Sequence, residues 1–146
     1  MKKVLLYLLL GTVLLSSCTD DAILNRKERR LTGTWKFERV TFRQDWEIFP
    51  DNVLGFYEGD RITFYDDYTA LYNDDSQRAL FDGDWSIFLE RDVDDDRCIY
   101  IDVRFYDHVN NEEFSYFAEV TFLTHRKMKM TVFTDDGRYR YKLLKE

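Results

Sequence analysis

The sequence predicts an all-β fold: an eight-stranded antiparallel up-and-down barrel preceded by one short helix. From Gly33 to the C-terminus, apolar and polar residues alternate with period two, which is typical of strands with one buried face. Short acidic, Asn or Gly turns join the segments, and no helix-length insertion separates them. An open sheet of this size would expose two edges, and closure removes both. Because strand patterns do not show whether the first and last strands pair, a two-sheet β-sandwich remains the alternative.

The first 18 residues have the order of a signal peptide. Two lysines near the N-terminus precede an apolar run at residues 4–15. This run is short, because a helix needs roughly twenty apolar residues to cross a membrane. The following Leu15-Ser16-Ser17-Cys18 resembles the lipobox of bacterial lipoproteins. The resemblance implies cleavage before Cys18, a lipidated thiol there, and anchorage of the mature chain to a membrane.

The residues after Cys18 predict an outer-membrane location. An aspartate directly after the cysteine would resemble an inner-membrane retention signal, but Thr19 occupies that position. Asp20 and Asp21 resemble the acidic surface-export signal of lipoproteins in one group of Gram-negative bacteria; alternatively, they only favour the first turn of a helix at 22–31. The predicted division is a signal peptide at 1–17, a lipidated tether and short helix at 18–30, and one barrel domain at 31–146.

Composition narrows the classes of partner and chemistry. The formal net charge is −7, and loss of Lys2 and Lys3 with the signal peptide would make it −9, which disfavours nucleic acid and anionic headgroups. With Cys18 lipidated, Cys98 has no partner for an internal disulfide. The two histidines have no partner at metal-ligand spacing, so we predict no metal, no cofactor and no catalysis. Acidic runs such as Asp92-Val93-Asp94-Asp95-Asp96 are interpreted as solvated turns.

The individual strands follow from the alternation. The first runs from Thr34 to about Arg43; Trp35 and Phe37 lie on one face and Val40 and Phe42 on the other, which predicts a bend near Arg39. A two-residue hairpin turn at Thr134-Asp135-Asp136-Gly137 joins the last two strands. The other predicted inward residues are Ile62 and Phe64; Trp85, Ile87 and Leu89; Ile99, Ile101, Val103 and Phe105; Phe114, Tyr116, Ala118, Val120 and Phe122; Met128, Met130 and Val132; and Tyr139, Tyr141 and Leu143.

The segment Leu31-Thr32-Gly33-Thr34-Trp35-Lys36 resembles the lipocalin opening, in which a short helix leads into a G-x-W motif. Ile62-Thr63-Phe64 and Gly83-Asp84-Trp85-Ser86-Ile87 follow in the order seen in bacterial lipocalin-like lipoproteins. The resemblance implies that Gly33 and Trp35 form a barrel-closing motif, with the tryptophan under a basic side chain from the last strand. Arg140 or Lys142 is the expected cation.

The longest stretch without alternation, residues 44–59, lies between the first two strands. In lipocalins this connection is a lid over the open mouth, and long loops in compact domains are frequently functional. A permanently packed hydrophobic flap is the alternative. Candidate ligand-binding residues are Trp46, Phe49 and Phe56 in this segment, together with Tyr72, Tyr116, Tyr139 and Tyr141, whose hydroxyls either bond within the core or orient a ligand.

Together these features predict a lipid-anchored, non-enzymatic protein that binds a small, mostly apolar ligand inside the barrel. The alternative is a surface module with a solid core whose outer face or loops bind a protein or a glycan. A continuous void inside the barrel favours the first, and a packed interior favours the second.

Overall fold

The computed structural model describes residues 20–91, 96–109 and 111–146. A helix, α1, covers residues 20–31, two residues more than the predicted segment at its N-terminal end. A short 3₁₀ helix, η1, spans Leu54–Tyr57. The strands are β1 (Gly33–Gln44), β2 (Asp51–Asn52), β3 (Arg61–Phe64), β4 (Thr69–Asp74), β5 (Ala79–Arg91), β6 (Arg97–Asp107), β7 (Glu112–Leu123), β8 (Lys127–Thr134) and β9 (Gly137–Lys145).

Eight of these strands, β1 and β3 to β9, form a closed antiparallel barrel. Each pairs with its neighbour in chain order, and β1 pairs with β9 from Trp35↔Lys145 to Gln44↔Gly137. The two-residue β2 pairs only with the far end of β1. Closure by β1 and β9 confirms the predicted lipocalin-like barrel and excludes the two-sheet sandwich, whose first and last strands would not be joined in this way.

Two bulges set which residues face inward. The register of β1 against β9 shifts between Phe37 and Arg39, as predicted, and places Val40 on the same inner side as Trp35. A second shift, in β7 against β8, lies between Val120 and Phe122. The predicted inward position of Phe122 is therefore wrong: this ring is 45% exposed, and Leu123, 4% exposed, takes its place in the core.

Most of the fully buried side chains lie toward the end of the barrel where α1 lies, which we call the closed end. The 45–60 connection, which we call the flap, lies at the other end, the open end, beyond the C-terminal end of β1. Asp20 in α1 forms ion pairs with Arg91 of β5 and Arg97 of β6, so the helix spans the closed end. The fully buried side chains here and along the barrel include Leu31, Trp35, Phe64, Ile101, Phe105, Met128 and Leu143.

Several predictions fall on residues outside the described ranges. These are the signal peptide, the lipidation of Cys18, the Thr19 position and residues 92–95 of the acidic run. Within the described part of the chain, no helix has the length and apolar character needed to cross a membrane.

Candidate functional site

A cation and a tryptophan occupy the closed end. The ammonium nitrogen of Lys145 lies 5.0 Å from the centre of the Trp35 ring. The prediction that Arg140 or Lys142 supplies this cation is wrong, because both lie on the outer face. Lys145 is opposite Trp35 in the β1–β9 register. The inward alternation of Tyr139, Tyr141 and Leu143 continues two residues later at Lys145. The sequence pattern was therefore sufficient to identify Lys145 as the inward cation.

The same two side chains cap the C-terminal end of α1. Lys145 Nζ donates a hydrogen bond to the carbonyl oxygen of Arg30 (2.8 Å), and Trp35 Nε1 donates one to that of Leu31 (2.7 Å). The last carbonyls of a helix have no partner within it, and a cation there is favourable. Burial lowers the pKa of Lys145, because removal from water disfavours its charged form.

The path of the Lys145 side chain explains why the G-x-W motif has a glycine at position 33. Gly33 has φ +122°, a conformation that residues with a side chain rarely adopt. A Cβ placed on Gly33 would lie 2.7 Å from Cε of Lys145. The absence of a side chain at Gly33 therefore lets Lys145 pass over the strand to reach Trp35.

Inward-facing aromatic rings of β4 to β7 fill one side of the barrel toward the open end. Tyr72 packs against Phe105 (5.6 Å between ring centres) and Phe81 (6.0 Å), and Phe114 contacts both phenylalanines. Tyr72 is buried, and its hydroxyl donates a short hydrogen bond to Asp60 Oδ2. The hydroxyl of Tyr72 therefore bonds within the core, which is the first of the two predicted alternatives for this side chain.

Asp60 is the buried carboxylate that fastens the end of the flap to the barrel. It is only 1% exposed. One oxygen accepts the Tyr72 hydroxyl, and the other accepts the backbone N–H of Asp75 at 2.9 Å. Burial, followed by the hydrogen bond to Asp60, raises the pKa of Tyr72. Asp60 is not recognisable from the sequence, because aspartates elsewhere in the chain mark solvated turns.

The inward rings become partly accessible at the open end. Those of β1, β7 and β9 are half-buried there, in contrast to their fully buried counterparts at the closed end. Phe42 and Tyr139 lie 4.5 Å apart, and Tyr139 stacks on Tyr141 at 5.9 Å. The half-buried rings of this group, which we call the open-end cluster, are Phe37, Phe42, Phe114, Tyr116 and Tyr139.

The flap is attached to this cluster by one face. Val53, Leu54 and Tyr57 pack against the core, and the Val53 backbone N–H donates to the Val40 carbonyl at 3.0 Å. The hydroxyls of Tyr57 and Tyr141 lie 3.3 Å apart. Tyr57 was not among the predicted site residues, because nothing local in the sequence distinguishes it from the other flap aromatics.

The remaining predicted flap residues face solvent. Trp46 is 74% exposed, Phe49 80% and Phe56 79%, and Ile48 is similarly exposed. The structure therefore brings Tyr116, Tyr139 and Tyr141 together at the open end, but it separates Trp46, Phe49 and Phe56 from them as an exposed apolar surface on the flap. The packing of Val53, Leu54 and Tyr57 agrees with the packed-flap alternative, and the role of this segment as a lid stays a prediction.

The tyrosines at the open end have raised pKa values. Burial, the largest cause, raises the pKa of Tyr116 to about 12 and that of Tyr141 further. For Tyr141 the hydrogen bond with Tyr57 adds to the effect. These hydroxyls stay neutral at ordinary pH and can donate or accept hydrogen bonds.

The described residues offer apolar contact and neutral hydroxyls rather than a metal site. Within residues 20–91, 96–109 and 111–146, no three His, Cys, Asp or Glu side chains are grouped to hold a metal ion. His108 is exposed, with Nε2 3.8 Å from Asp82. Comparisons with protein-family models, curated proteins and solved structures found no match to this chain. The features that make the fold lipocalin-like are the closed antiparallel barrel, the N-terminal helix and the Trp35–Lys145 pair.

Proposed function

We propose that this chain is a membrane-anchored lipoprotein whose lipocalin-like barrel binds a small, mostly apolar molecule at its open end without catalysing a reaction. The uneven exposure of the inward rings carries this proposal. Trp35, Phe64 and Trp85 are buried at the closed end, whereas the open-end cluster is partly accessible. A barrel needed only for stability would gain from burying those rings as well.

The lining suits such a ligand. Small-molecule sites are mostly apolar and aromatic, with a few polar groups that fix orientation. Phe42 and Phe114 offer apolar ring faces, and Tyr116 and Tyr139 add hydroxyls. A ligand with an apolar body and one hydrogen-bonding group fits this combination better than a multiply charged one.

The flap provides a second wall for the ligand. Its exposed side chains, Trp46, Ile48, Phe49 and Phe56, form apolar surface next to the open end, and exposed apolar surface of this kind marks interaction sites. The flap is held at Tyr57 and Asp60 and by the pairing of β2 with β1, so residues 45–50 are the part free to close over a ligand.

A lipid anchor on Cys18 would orient the open end of the barrel away from the membrane. Cys18 precedes Asp20 by two residues, and Asp20 is held at the closed end by Arg91 and Arg97. An anchor on Cys18 would hold the closed end toward an outer membrane and leave the open end toward the surroundings. Surface export would then expose the open end outside the cell.

A fluorescence titration tests the proposal. The full chain, reconstituted in phosphatidylcholine nanodiscs, is titrated with a dansyl-labelled fatty acid, and energy transfer from tryptophan is measured after subtraction of empty nanodiscs. We expect transfer that saturates, is displaced by unlabelled fatty acid, and falls in Trp46→Phe. Energy transfer declines steeply with distance, and Trp46 lies on the flap at the open end, whereas Trp35 and Trp85 lie toward the closed end. Transfer that rises linearly without displacement would contradict binding.

A second candidate function is recognition of a protein or glycan by the outer wall. Phe88, Tyr100 and Phe117 stack there on β5, β6 and β7; Tyr100 and Phe117 are 5.3 Å apart with ring planes inclined by 15°. Phe117 is half exposed. Cross-linking on intact cells should recover a specific partner with the wild-type chain and with Tyr68→Ser, but not with Phe117→Ser; equal recovery from both variants would exclude this face.

A further inference from the structure

The outer wall of the barrel carries a groove with a charge opposite to that of the chain. The chain has 28 acidic and 21 basic residues. The groove, about 590 Å³ in volume, crosses the outer faces of β1, β9, β8 and β7. Glu119 is its one carboxylate, and its five cations are Arg39, Lys129, Arg138, Arg140 and Lys142. The alternation that puts apolar residues inside the barrel gathers these cations outside.

Like charges lie directly opposite one another in this wall. Arg39 is paired with Lys142 across β1 and β9, and Lys142 with Lys129 across β9 and β8. Arg138, two residues before Arg140 on β9, is paired with Arg43 of β1. Like charges at directly opposite positions destabilise a sheet. These two rows lie on either side of the row formed by Thr41, Arg140 and Thr131. They lower the stability of the barrel, which is understandable if a ligand supplies the missing negative charge.

The chain's own carboxylates neutralise little of the positive charge in the groove. Lys142 pairs with Glu38, and this hydrogen bond lowers the pKa of the Glu38 carboxyl. Among the described residues, no carboxylate lies within 4.0 Å of the guanidinium groups of Arg39, Arg138 or Arg140. In the same part of the chain, Arg138 Nε is shielded from solvent and has no hydrogen-bond partner. Donors of this kind are usually satisfied in folded proteins.

The shape and polarity of the groove fit a compact anion. Its volume lies within the range of small-molecule sites, roughly 300–1,000 Å³. Thr41 and Thr131 flank Arg140 in the paired register and add hydroxyls, while Pro50 of the flap and Phe133 give an apolar edge. Arginine presents a planar fork of donors that matches phosphate oxygens.

We propose that this groove binds a phosphate group, carried either by a small soluble molecule or by a lipid headgroup. The site is separate from the open end and does not depend on the apolar ligand proposed there. The net negative charge of the chain argues against broad attraction of anions, but binding here depends on the local cluster rather than on the total charge.

The test uses the full chain in non-ionic detergent at low ionic strength, titrated calorimetrically with inorganic pyrophosphate. The wild-type chain should bind one pyrophosphate, more weakly as sodium chloride is added. Arg39→Gln combined with Arg140→Gln should weaken binding at least about tenfold, since two charge-assisted contacts are lost. The matched control, Arg78→Gln with Arg126→Gln, removes the same charge from exposed turns outside the groove and should bind like the wild type.

The melting temperature separates loss of a site from loss of the fold. Arg39 and Arg140 are exposed, and removing Arg39 relieves its repulsion with Lys142, so the groove variant should melt no lower than the wild type. A second titration, with phosphatidic acid or diacylglycerol added to the micelles, identifies the source of the phosphate. Competition by phosphatidic acid alone indicates a headgroup, and no competition indicates a soluble phosphate. Absence of saturable pyrophosphate binding, or equal weakening in the control, would overturn the proposal.

Discussion

Lys145 and Trp35 form a cation–π pair at the closed end, with the ammonium nitrogen 5.0 Å from the ring centre. Each also caps a carbonyl at the end of α1. The last strand, the first strand and the helix therefore meet at one contact. This contact explains both fixed positions of the G-x-W motif, since Trp35 provides the ring and Gly33 the space for Lys145.

Replacing Lys145 with methionine should lower the free energy of unfolding by about 1–2 kcal/mol. The change keeps the apolar stem but removes the hydrogen bond to Arg30 and the cation over a buried ring. Urea denaturation followed by circular dichroism measures the loss. Lys129→Met is the control, because Lys129 lies 5.7 Å above the Phe122 ring on the exposed outer face and should change stability by less than about 0.5 kcal/mol. Equal losses would show that the closed-end pair has no special contribution.

Gly83→Ala should destabilise the barrel by more than about 2 kcal/mol. Gly83 pairs with Phe105 across β5 and β6, and an added Cβ would collide with the backbone oxygen of Arg104 and approach the Phe105 ring to 2.8 Å. The same substitution at Gly55, in η1, meets no atom within 4 Å and should be close to neutral. Thermal unfolding of the two variants gives the comparison, and similar melting temperatures would show that the strands can separate to admit a methyl group.

Tyr72→Phe should cost about 2 kcal/mol, because it leaves one oxygen of the buried Asp60 carboxylate without its donor. Tyr65→Phe removes an exposed hydroxyl and serves as the control. Hydrogen exchange should show faster exchange of the Asp75 amide in Tyr72→Phe, since that N–H shares the same carboxylate. Unchanged exchange at Asp75 would indicate that Asp60 does not fasten the flap.

The chain should unfold in alkali between pH 10 and 12. Tyr72, Tyr116 and Tyr141 have pKa values above the ordinary 10.0, with Tyr116 at about 12. Their contribution to stability is fully present below pH 10 and decreases as pH rises, because the unfolded chain releases these protons first. Each tyrosine lowers stability by about 1.4 kcal/mol per pH unit in that interval. Tyrosinate absorbance rising together with loss of the β-sheet signal would confirm it; ionisation of all tyrosines near pH 10 with the fold intact would contradict it.

The strands were predictable because a barrel with one dry face repeats its pattern every two residues. Alternation found Tyr139, Tyr141 and Leu143 correctly, and it would also have identified Lys145 had it been extended to the end of β9. It failed at Phe122, because the bulge after Val120 adds one residue and reverses the faces beyond it. In β1 the bulge was predictable because apolar residues change face within the strand, whereas in β7 Phe122 continues the alternation and conceals it.

The candidate site was less predictable than the barrel. The tyrosines of β7 and β9 follow from alternation, but the flap has no period, so nothing in its sequence separates the anchoring Tyr57 from the exposed Phe56 next to it. Asp60 was unrecognised because its role depends on Tyr72, which lies twelve residues away on β4. The outer groove depends on the β1–β9 pairing, which strand patterns alone do not reveal.

Native mass spectrometry of the full chain, purified from its own host, tests ligand binding at the open end most directly. We expect the wild-type chain to carry one discrete small apolar species. Tyr116→Trp should lose it, because a larger ring would fill the partly accessible open end, whereas Phe133→Trp, on the outer wall, should retain it. A wild-type chain without any bound species, or the same species on Tyr116→Trp, would contradict binding at this end of the barrel.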